Sequence, residues 1–217
     1  MRRCAARPVR PASVVCGLLL ATLAAAGCSA PSYRFEATAA GEVVLKLPRS
    51  WSLVRSGLPA NQDGTPAPAG NWVEVFDAAG RPSLDHAESL HPADPVATLR
   101  TVAVSKSVGS GVTDDDLRDL LLPVSVAGRA DALLSGFTGT GFTRITDQVI
   151  NGKAAHGVHV VYTYDLGGGP QVYDQIAVVD AGKTRVHVLF VHCTKVCYDA
   201  HRPEITSTVR SFTVKTP

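Results

Sequence analysis

The fold is decided by residues 142–192, which read FTRITDQVINGKAAHGVHVVYTYDLGGGPQVYDQIAVVDAGKTRVHVLFVH. Three turn signals divide this stretch: Asn-Gly at 151–152, three glycines at 167–169 and Asp-Ala-Gly at 180–182. Asn-Gly between two apolar runs is the strongest short hairpin signal, because both residues tolerate the positive φ of a tight turn. The stretch therefore predicts an antiparallel meander of four strands, over 142–150, 154–165, 172–179 and 185–192.

Further elements are predicted on both sides of the meander. Alternating apolar residues predict three earlier strands, over 43–48, 71–77 and 101–108. Thr113 and the three aspartates after it predict a helix start, with the helix running to Pro123. A second helix is expected over 127–137, and Pro203 is expected to open the last helix. An antiparallel sheet flanked by helices is an α+β sandwich of the α/β/α kind.

The side chains of the second meander strand and of the last helix predict how the layers pack. We expect Val158, Val160, Tyr162 and Tyr164 to divide between the two faces of the sheet. In the last helix, Ile205, Val209 and Phe212 form one apolar stripe, which is expected to cover one of those faces.

Residues 1–27 have the features of an export signal. Four arginines and no acidic residue accompany an apolar run over 12–26. A membrane-spanning helix needs roughly 20 apolar residues, so the run is too short for a comfortable permanent anchor. Residues 23–28, Leu-Ala-Ala-Ala-Gly-Cys, resemble the lipobox of bacterial lipoproteins, with Ala25 where an aliphatic residue is usual. This resemblance predicts acylation of Cys28, and the alternative is an ordinary secretory signal with an incidental cysteine.

The signal sets the expected organisation of the chain. It is followed by a lipidated N-terminus and short polar tether over 28–41, and then by a single domain over 42–217. Two or three acyl chains, such as diacylglycerol and palmitate, hold a protein durably on a bilayer. We therefore expect a lipoprotein anchored on the extracytoplasmic face of the cell membrane.

The net charge argues against nucleic acid as a partner. Four of the 21 Lys and Arg lie in the signal, which leaves 17 against 19 Asp and Glu, a formal charge of −2. A chain without a basic excess has no general electrostatic attraction for nucleic acid.

Two cysteines remain after Cys28 and the two cysteines of the signal are set aside. Cys193 and Cys197 lie in an expected oxidising compartment, where such a pair forms a disulfide. The bridge is expected to pin the last meander strand to the last helix. A redox pair or two metal ligands are the alternatives, although the three-residue spacing differs from the Cys-x-x-Cys redox motif.

The order of elements resembles the PsbP-like fold of the extrinsic photosystem II protein and of actinobacterial lipoproteins of the LpqN and LpqT kind. The resemblance spans residues 42–215. It rests on these segments: Leu45-Lys46-Leu47-Pro48 to Trp51, Ile150-Asn151-Gly152 with Tyr162, Ile205 to Val209, and Ser211-Phe212-Thr213-Val214. The resemblance implies a binding or assembly module without a shared active site, so it assigns no catalytic or cofactor-binding residue.

Candidate catalytic groups are weak. Ser110, between two glycines, lacks the Gly-x-Ser-x-Gly spacing of a nucleophile elbow. His156 with His159, and His187 with His192, are three and five residues apart, so neither pair shares a strand face. One histidine from each of two neighbouring strands, for example His159 beside His187, remains as a metal-site hypothesis, and His201 also lies close to the meander in the sequence. The strand aromatics are typical of core and only secondarily of a lipid or glycan pocket. They are Tyr33, Trp51, Trp72, Phe76, Tyr162, Tyr164 and Tyr173.

These observations favour a non-catalytic, membrane-anchored binding module for an envelope protein or an apolar ligand. No catalytic, metal or cofactor site is predicted. The alternatives are an envelope enzyme, either metal-assisted or a hydrolase, and a lipid carrier. The carrier would need an internal apolar cavity of roughly several hundred Å³.

Overall fold

A computed structural model describes residues 33–38, 42–59 and 68–215. The predicted signal and Cys28 lie outside the described residues. The ten strands are β1 Tyr33–Ala37, β2 Val43–Pro48, β3 Ser52–Gly57, β4 Trp72–Asp77, β5 Val96–Ala103, β6 Thr140–Asn151, β7 Ala155–Asp165, β8 Pro170–Asp180, β9 Arg185–Thr194 and β10 Thr213–Val214. The five helices are α1 Leu84–Ala87, α2 Lys106–Gly111, α3 Asp114–Arg118, α4 Val126–Leu134 and α5 Lys195–Arg210.

The main sheet has seven antiparallel strands in the order β3-β4-β5-β9-β8-β7-β6. Four of them, β6 to β9, are the predicted meander, and each pairs with the next along the chain. The predicted α+β fold with an antiparallel sheet is confirmed.

A second sheet of three strands corrects the predicted tether. Residues 33–37 form β1, which pairs antiparallel with β2 from Tyr33 opposite Pro48 to Ala37 opposite Val44. The folded part therefore begins by residue 33 and not at residue 42. Tyr33, Phe35 and Ala37 alternate with the charged Arg34 and Glu36, which is a strand pattern, but the small and polar residues on both sides of this short run favoured a tether. Residues 28–32 and 39–41 of the tether lie outside the described residues.

The strand predicted over 101–108 is wrong in its bounds. The strand is β5, Val96–Ala103, and the Ser105 side chain then caps α2 by accepting a hydrogen bond from the Val108 backbone. Because β5 lies inside the sheet, Val96 to Leu99 are all buried and show no alternation.

The last helix also begins earlier than predicted. Helix α5 starts at Lys195, with Thr194 as its N-cap, and Pro203 lies inside it and does not open it. The Thr194 hydroxyl accepts a hydrogen bond from the Cys197 backbone, which satisfies one of the free N–H groups of the first turn. Helix α3 has the predicted capping box between Thr113 and Asp116, but it ends at Arg118, short of Pro123.

The main sheet has two covered faces with different partners. On the α5 face, Ile205 and Val209 of α5 pack with residues of β7 to β9 such as Val161 and Leu189. The opposite face, here called the cleft face, carries α3 and α4. Val158, Val160, Tyr162 and Tyr164 all point to the cleft face, so the predicted division between faces is wrong. Residues two apart in a strand share a face, which the prediction overlooked.

Candidate ligand-binding cleft

The cleft face holds an open cavity of about 340 Å³. Its floor is formed by β5 and β9, which pair so that Arg100 lies opposite Val188 and Val102 opposite Val186. Alternate residues of both strands point into it because side chains of a strand repeat every two residues. The lining residues are Arg100, Val102, Val104, Val112, Leu120, Leu121, Val186, Val188 and Phe190.

The wall beside α3 is held by hydrogen bonds from the sheet. The buried Gln175 side chain of β8 donates from Nε2 to the carbonyl oxygen of Leu117 at 2.8 Å and to that of Arg118 at 3.3 Å. Its Oε1 accepts from the Tyr162 hydroxyl at 3.2 Å. These bonds fix the C-terminal end of α3, from which Leu120 and Leu121 extend over the cleft.

The loop after α3 is closed around one carboxylate. Asp119 Oδ1 accepts from the backbone N–H of Val124 at 2.6 Å and of Ser125 at 2.7 Å. Asp119 Oδ2 accepts from the Ser125 hydroxyl at 2.6 Å. These hydrogen bonds fix the conformation of the loop that carries Leu120 and Leu121.

An aromatic row leads away from one side of the cleft. The Phe190 ring lies 5.9 Å from that of His192, and His192 stacks on Tyr173 at 5.5 Å with the planes 3° apart. Tyr173 in turn stacks on Tyr162 at 5.3 Å. Burial, with a smaller contribution from the charge of His86, lowers the pKa of His192 to about 4. His192 is therefore neutral at physiological pH.

A second histidine lies near that row. Asp77 is fully buried, and its Oδ1 lies 2.9 Å from His86 Nδ1. The same carboxylate accepts backbone hydrogen bonds from Ala79 and Ser83, each at 2.9 Å. Among the described residues, buried His86 Nε2 and His192 Nδ1 have no hydrogen-bond partner. The sequence did not reveal this pair, because His86 and His192 are more than a hundred residues apart.

The histidines considered for a metal are held at separate places. His187 Nδ1 lies 3.0 Å from the Thr101 hydroxyl, whereas His159 Nε2 lies 2.7 Å from Asp174 Oδ1. His201 Nδ1 lies 3.3 Å from Glu204 Oε2. In the described parts of the chain, no group of three or more His, Cys, Asp or Glu residues could hold a metal ion. The structure does not bring His159 to His187, so that hypothesis is wrong.

The Asp174 carboxylate forms a buried polar link under α5. Its Oδ1 contacts His159, and its Oδ2 accepts from the Tyr198 hydroxyl at 2.9 Å. Burial, followed by the charge of Asp174, raises the pKa of Tyr198, so its hydroxyl stays protonated and donates. This arrangement of residues from β7, β8 and α5 ties the helix to the sheet. It depends on strand register and helix placement, which the sequence did not show.

Ser110 borders a separate hollow of about 240 Å³ with His156. His156 Nδ1 lies 3.0 Å from Asn151 Oδ1, and its Nε2 lies 2.9 Å from Asp114 Oδ1. Nδ1 is hydrogen-bonded to Asn151, Nε2 lies beside the Asp114 carboxylate, and neither nitrogen is hydrogen-bonded to Ser110. A hydrolase needs its base within hydrogen-bond reach of the nucleophile.

The two remaining cysteines are joined in a disulfide. Cys193 belongs to β9 and Cys197 to the first turn of α5, and their Cα atoms are 5.9 Å apart. The bridge fixes the start of α5 against the end of its neighbouring strand.

The aromatic residues proposed as a pocket are mainly core. Trp51, Phe76, Tyr162, Tyr164 and Tyr173 are at least 95% buried.

By contrast, α4 exposes large apolar side chains: Val126 by 75%, Leu133 by 71% and Leu134 by 88%. Within the described residues no helix has both the length and the apolar character to cross a membrane.

The fold and the cleft together define an α+β protein with an apolar cleft on one face of an antiparallel sheet. No protein-family model and no curated protein sequence matches the chain. Among solved structures, it is similar to the cyanobacterial PsbP of Synechocystis, with 12% identity, a TM-score of 0.47, and coverage of 87% of this chain and 96% of that one.

Two further similar structures come from other organisms. The Ran-binding protein Mog1p of Saccharomyces cerevisiae is 9% identical, with a TM-score of 0.46, and the match covers 85% of this chain and 96% of that chain. LpqN of Mycobacterium tuberculosis, involved in cell envelope biogenesis, is 12% identical, with a TM-score of 0.40 and coverage of 86% and 91%. These likenesses concern the fold alone.

Proposed function

We propose that this chain is a non-catalytic binding module of the cell envelope that holds the aliphatic chain of one ligand in the cleft. The observation that carries the proposal is the lining of the 340 Å³ cavity, which is apolar except for Arg100. Small-molecule sites typically enclose ~300–1,000 Å³, so the cleft has room for one chain and not for a two-chain lipid.

The expected affinity is modest. Each buried methylene contributes roughly 0.8 kcal/mol, and association costs at least ~4 kcal/mol of lost freedom. A single aliphatic chain of moderate length should therefore bind with a Kd on the order of 100 µM, comparable to the membrane affinity of one myristoyl chain. Such an affinity suits reversible capture and release.

The polar residues support binding over catalysis. His187 and His192 have their pKa lowered to about 4, in both cases chiefly because they are buried. His187 faces Thr101 under the α5 face, whereas His192 stacks between aromatic rings on the cleft face. A catalytic site needs its nucleophile, base and charge-stabilising group to converge on one cavity. The two buried histidines lie on opposite faces of the sheet, so they do not converge on one cavity.

The same proposal includes the membrane anchor predicted from the sequence. Acylation of Cys28 would hold the cleft at the extracytoplasmic face of the cell membrane, close to a source of aliphatic chains. A Cys28→Ser chain should stay uncut or enter the soluble fraction. Detergent partitioning of that variant with acyl chains still attached would contradict the anchor.

The cleft is tested by filling it. Val188→Trp places a large ring over the floor, and Val196→Trp adds the same ring at a site on α5 that is 81% exposed. Binding of dodecan-1-ol should be lost in the first variant and unchanged in the second, as measured by isothermal titration. Equal binding by both variants would rule out the cleft as the site.

A second candidate function, docking of an envelope protein, is favoured by the exposed apolar residues of α4. A photo-crosslinker at position 134 should then label one partner in intact cells, whereas one at exposed position 196 should not. Equal labelling from both positions would argue against a specific interface on α4.

A further inference from the structure

Among the described residues that line the cleft, Arg100 is the one that carries a charge. It is exposed and lies on β5, an interior strand of the sheet. Its cross-strand neighbours are Val73 on β4 and Val188 on β9, and Thr98 and Val102 flank it on the same strand face. The positions that flank Arg100 on this face of the sheet are therefore apolar or uncharged.

The other arginines near the cleft wall are engaged. Arg118 pairs with Asp115 at 2.8 Å and with Asp147 at 3.0 Å, and Arg129 donates to the Val124 carbonyl oxygen at 2.8 Å. Over the part of the chain that the structure describes, Arg100 has neither a hydrogen-bond partner nor an ion-pair partner. A lone arginine beside an apolar cavity offers charge complementarity to a ligand that is apolar with one anionic end.

We propose that the cleft selects a single-chain amphiphile with an anionic head group, and that Arg100 binds the head group while the chain lies on β5 and β9. The inference rests on the proposed function, because it assumes that the cleft is the binding site. Carboxylate and phosphate oxygens both match the forked donors of a guanidinium. The head group is accordingly either the carboxylate of a fatty acid or the phosphate of a single-chain phospholipid.

The size of the expected preference follows from the exposure of Arg100. Because water and salt screen an exposed charge, Arg100 should add to the affinity for an anionic head group about what a surface charge pair adds. The apolar residues beside it strengthen this pair, so we expect a preference of about tenfold over a neutral head group. The preference should shrink at high salt, since screening reaches ~3 Å at 1 M.

The test uses four probes with the same chain: dodecanoate, dodecyl phosphate, dodecan-1-ol and dodecylammonium. The ionic probes are kept below their micelle concentrations and the alcohol below its solubility limit. The full-length protein, Arg100→Gln and the matched surface control Arg81→Gln are titrated with each probe. We expect the anionic probes to bind the wild type and Arg81→Gln about tenfold more tightly than dodecan-1-ol. Arg100→Gln should lose that difference and bind dodecan-1-ol as the wild type does.

The outcomes separate this inference from the proposed function. If dodecan-1-ol binds and Val188→Trp abolishes its binding, the cleft is the site. In that case, equal affinity for the alcohol, the cation and the anions would overturn the inference that the ligand is anionic. An unchanged preference for anions in Arg100→Gln would overturn the role of Arg100. Neither result would affect the cleft as the binding site. If Val188→Trp leaves dodecan-1-ol binding intact, the proposed function itself fails. Tighter binding of dodecanoate than of dodecyl phosphate assigns a fatty acid, and the reverse assigns a phospholipid head group.

Discussion

The two faces of the main sheet differ in how completely they are closed. On the α5 face, Ile205 and Val209 are fully buried, and the Asp174 carboxylate is satisfied on both oxygens. On the cleft face, β5 and β9 lie under an open cavity. The closed face supplies stability, whereas the open face is available for a ligand.

Truncation of the core should show the largest difference between the faces. Ile205→Ala on the α5 face removes a fully buried side chain and should lower the free energy of unfolding by about 2–5 kcal/mol. Leu121→Ala, at the partly exposed wall of the cleft, should cost less than about 1.5 kcal/mol but weaken binding of dodecan-1-ol. Urea unfolding and titration measure both quantities. Equal losses of stability in Ile205→Ala and Leu121→Ala would contradict the proposed difference between the two faces.

Acid should destabilise both faces through one buried histidine on each. Burial lowers the pKa of His187 and of His192 to about 4, below the unfolded value of 6.5. The unfolded state therefore binds more protons between these values, so stability is complete above pH 6.5 and is lost as the pH falls toward 4. At pH 4.5 each histidine should cost roughly 2–3 kcal/mol.

Substitution of one histidine sharpens this prediction. His192→Phe keeps an aromatic ring beside Tyr173 but cannot bind a proton, so it should remove about half of the loss measured by urea unfolding between pH 7 and pH 4.5. Val196→Ala, at an exposed position without a titratable group, is the control and should leave the slope unchanged. If His192→Phe does not alter the pH dependence of the free energy of unfolding, protonation of His192 does not cause the loss of stability in acid.

The disulfide should have the smallest effect. The bridge from Cys193 to Cys197 closes a short loop, so the loop-closure model gives roughly 1–2 kcal/mol. Unfolding with and without a reducing agent measures the difference, and the double variant Cys193→Ala with Cys197→Ala should show none. Free thiols in the untreated, unfolded protein would contradict the bridge.

The sequence predicted the parts of the fold that short-range chemistry determines. The Asn151-Gly152 turn and the apolar strands around it defined the meander, and Thr113 with Asp116 defined a helix start. Strand β1 was missed because its five alternating residues lie between small residues typical of a tether, and its place is set by backbone pairing with β2. Helix α5 was shortened because Pro203 is typical of a first turn, although the hydroxyl of Thr194 sets the true start.

The cleft could not be predicted for a different reason. Val102 and Val186 alternate with their neighbours as core residues do, and alternation shows only that one face of a strand is apolar. Whether a helix covers that face depends on where α3 ends, which the bonds from Gln175 fix through tertiary contacts. The role of Arg100 likewise appears only when β5 is placed between two apolar strands.

The central claim, that β5 and β9 form the binding surface, is tested most directly by NMR with a spin-labelled dodecyl chain. The label should broaden the backbone amide signals of Val102, Val186 and Val188, while those of Ile205 and Val209 on the α5 face stay sharp. Competition with unlabelled dodecan-1-ol should restore the broadened signals. Broadening centred on α4 or α5, with sharp signals on β5 and β9, would contradict the cleft as the ligand site.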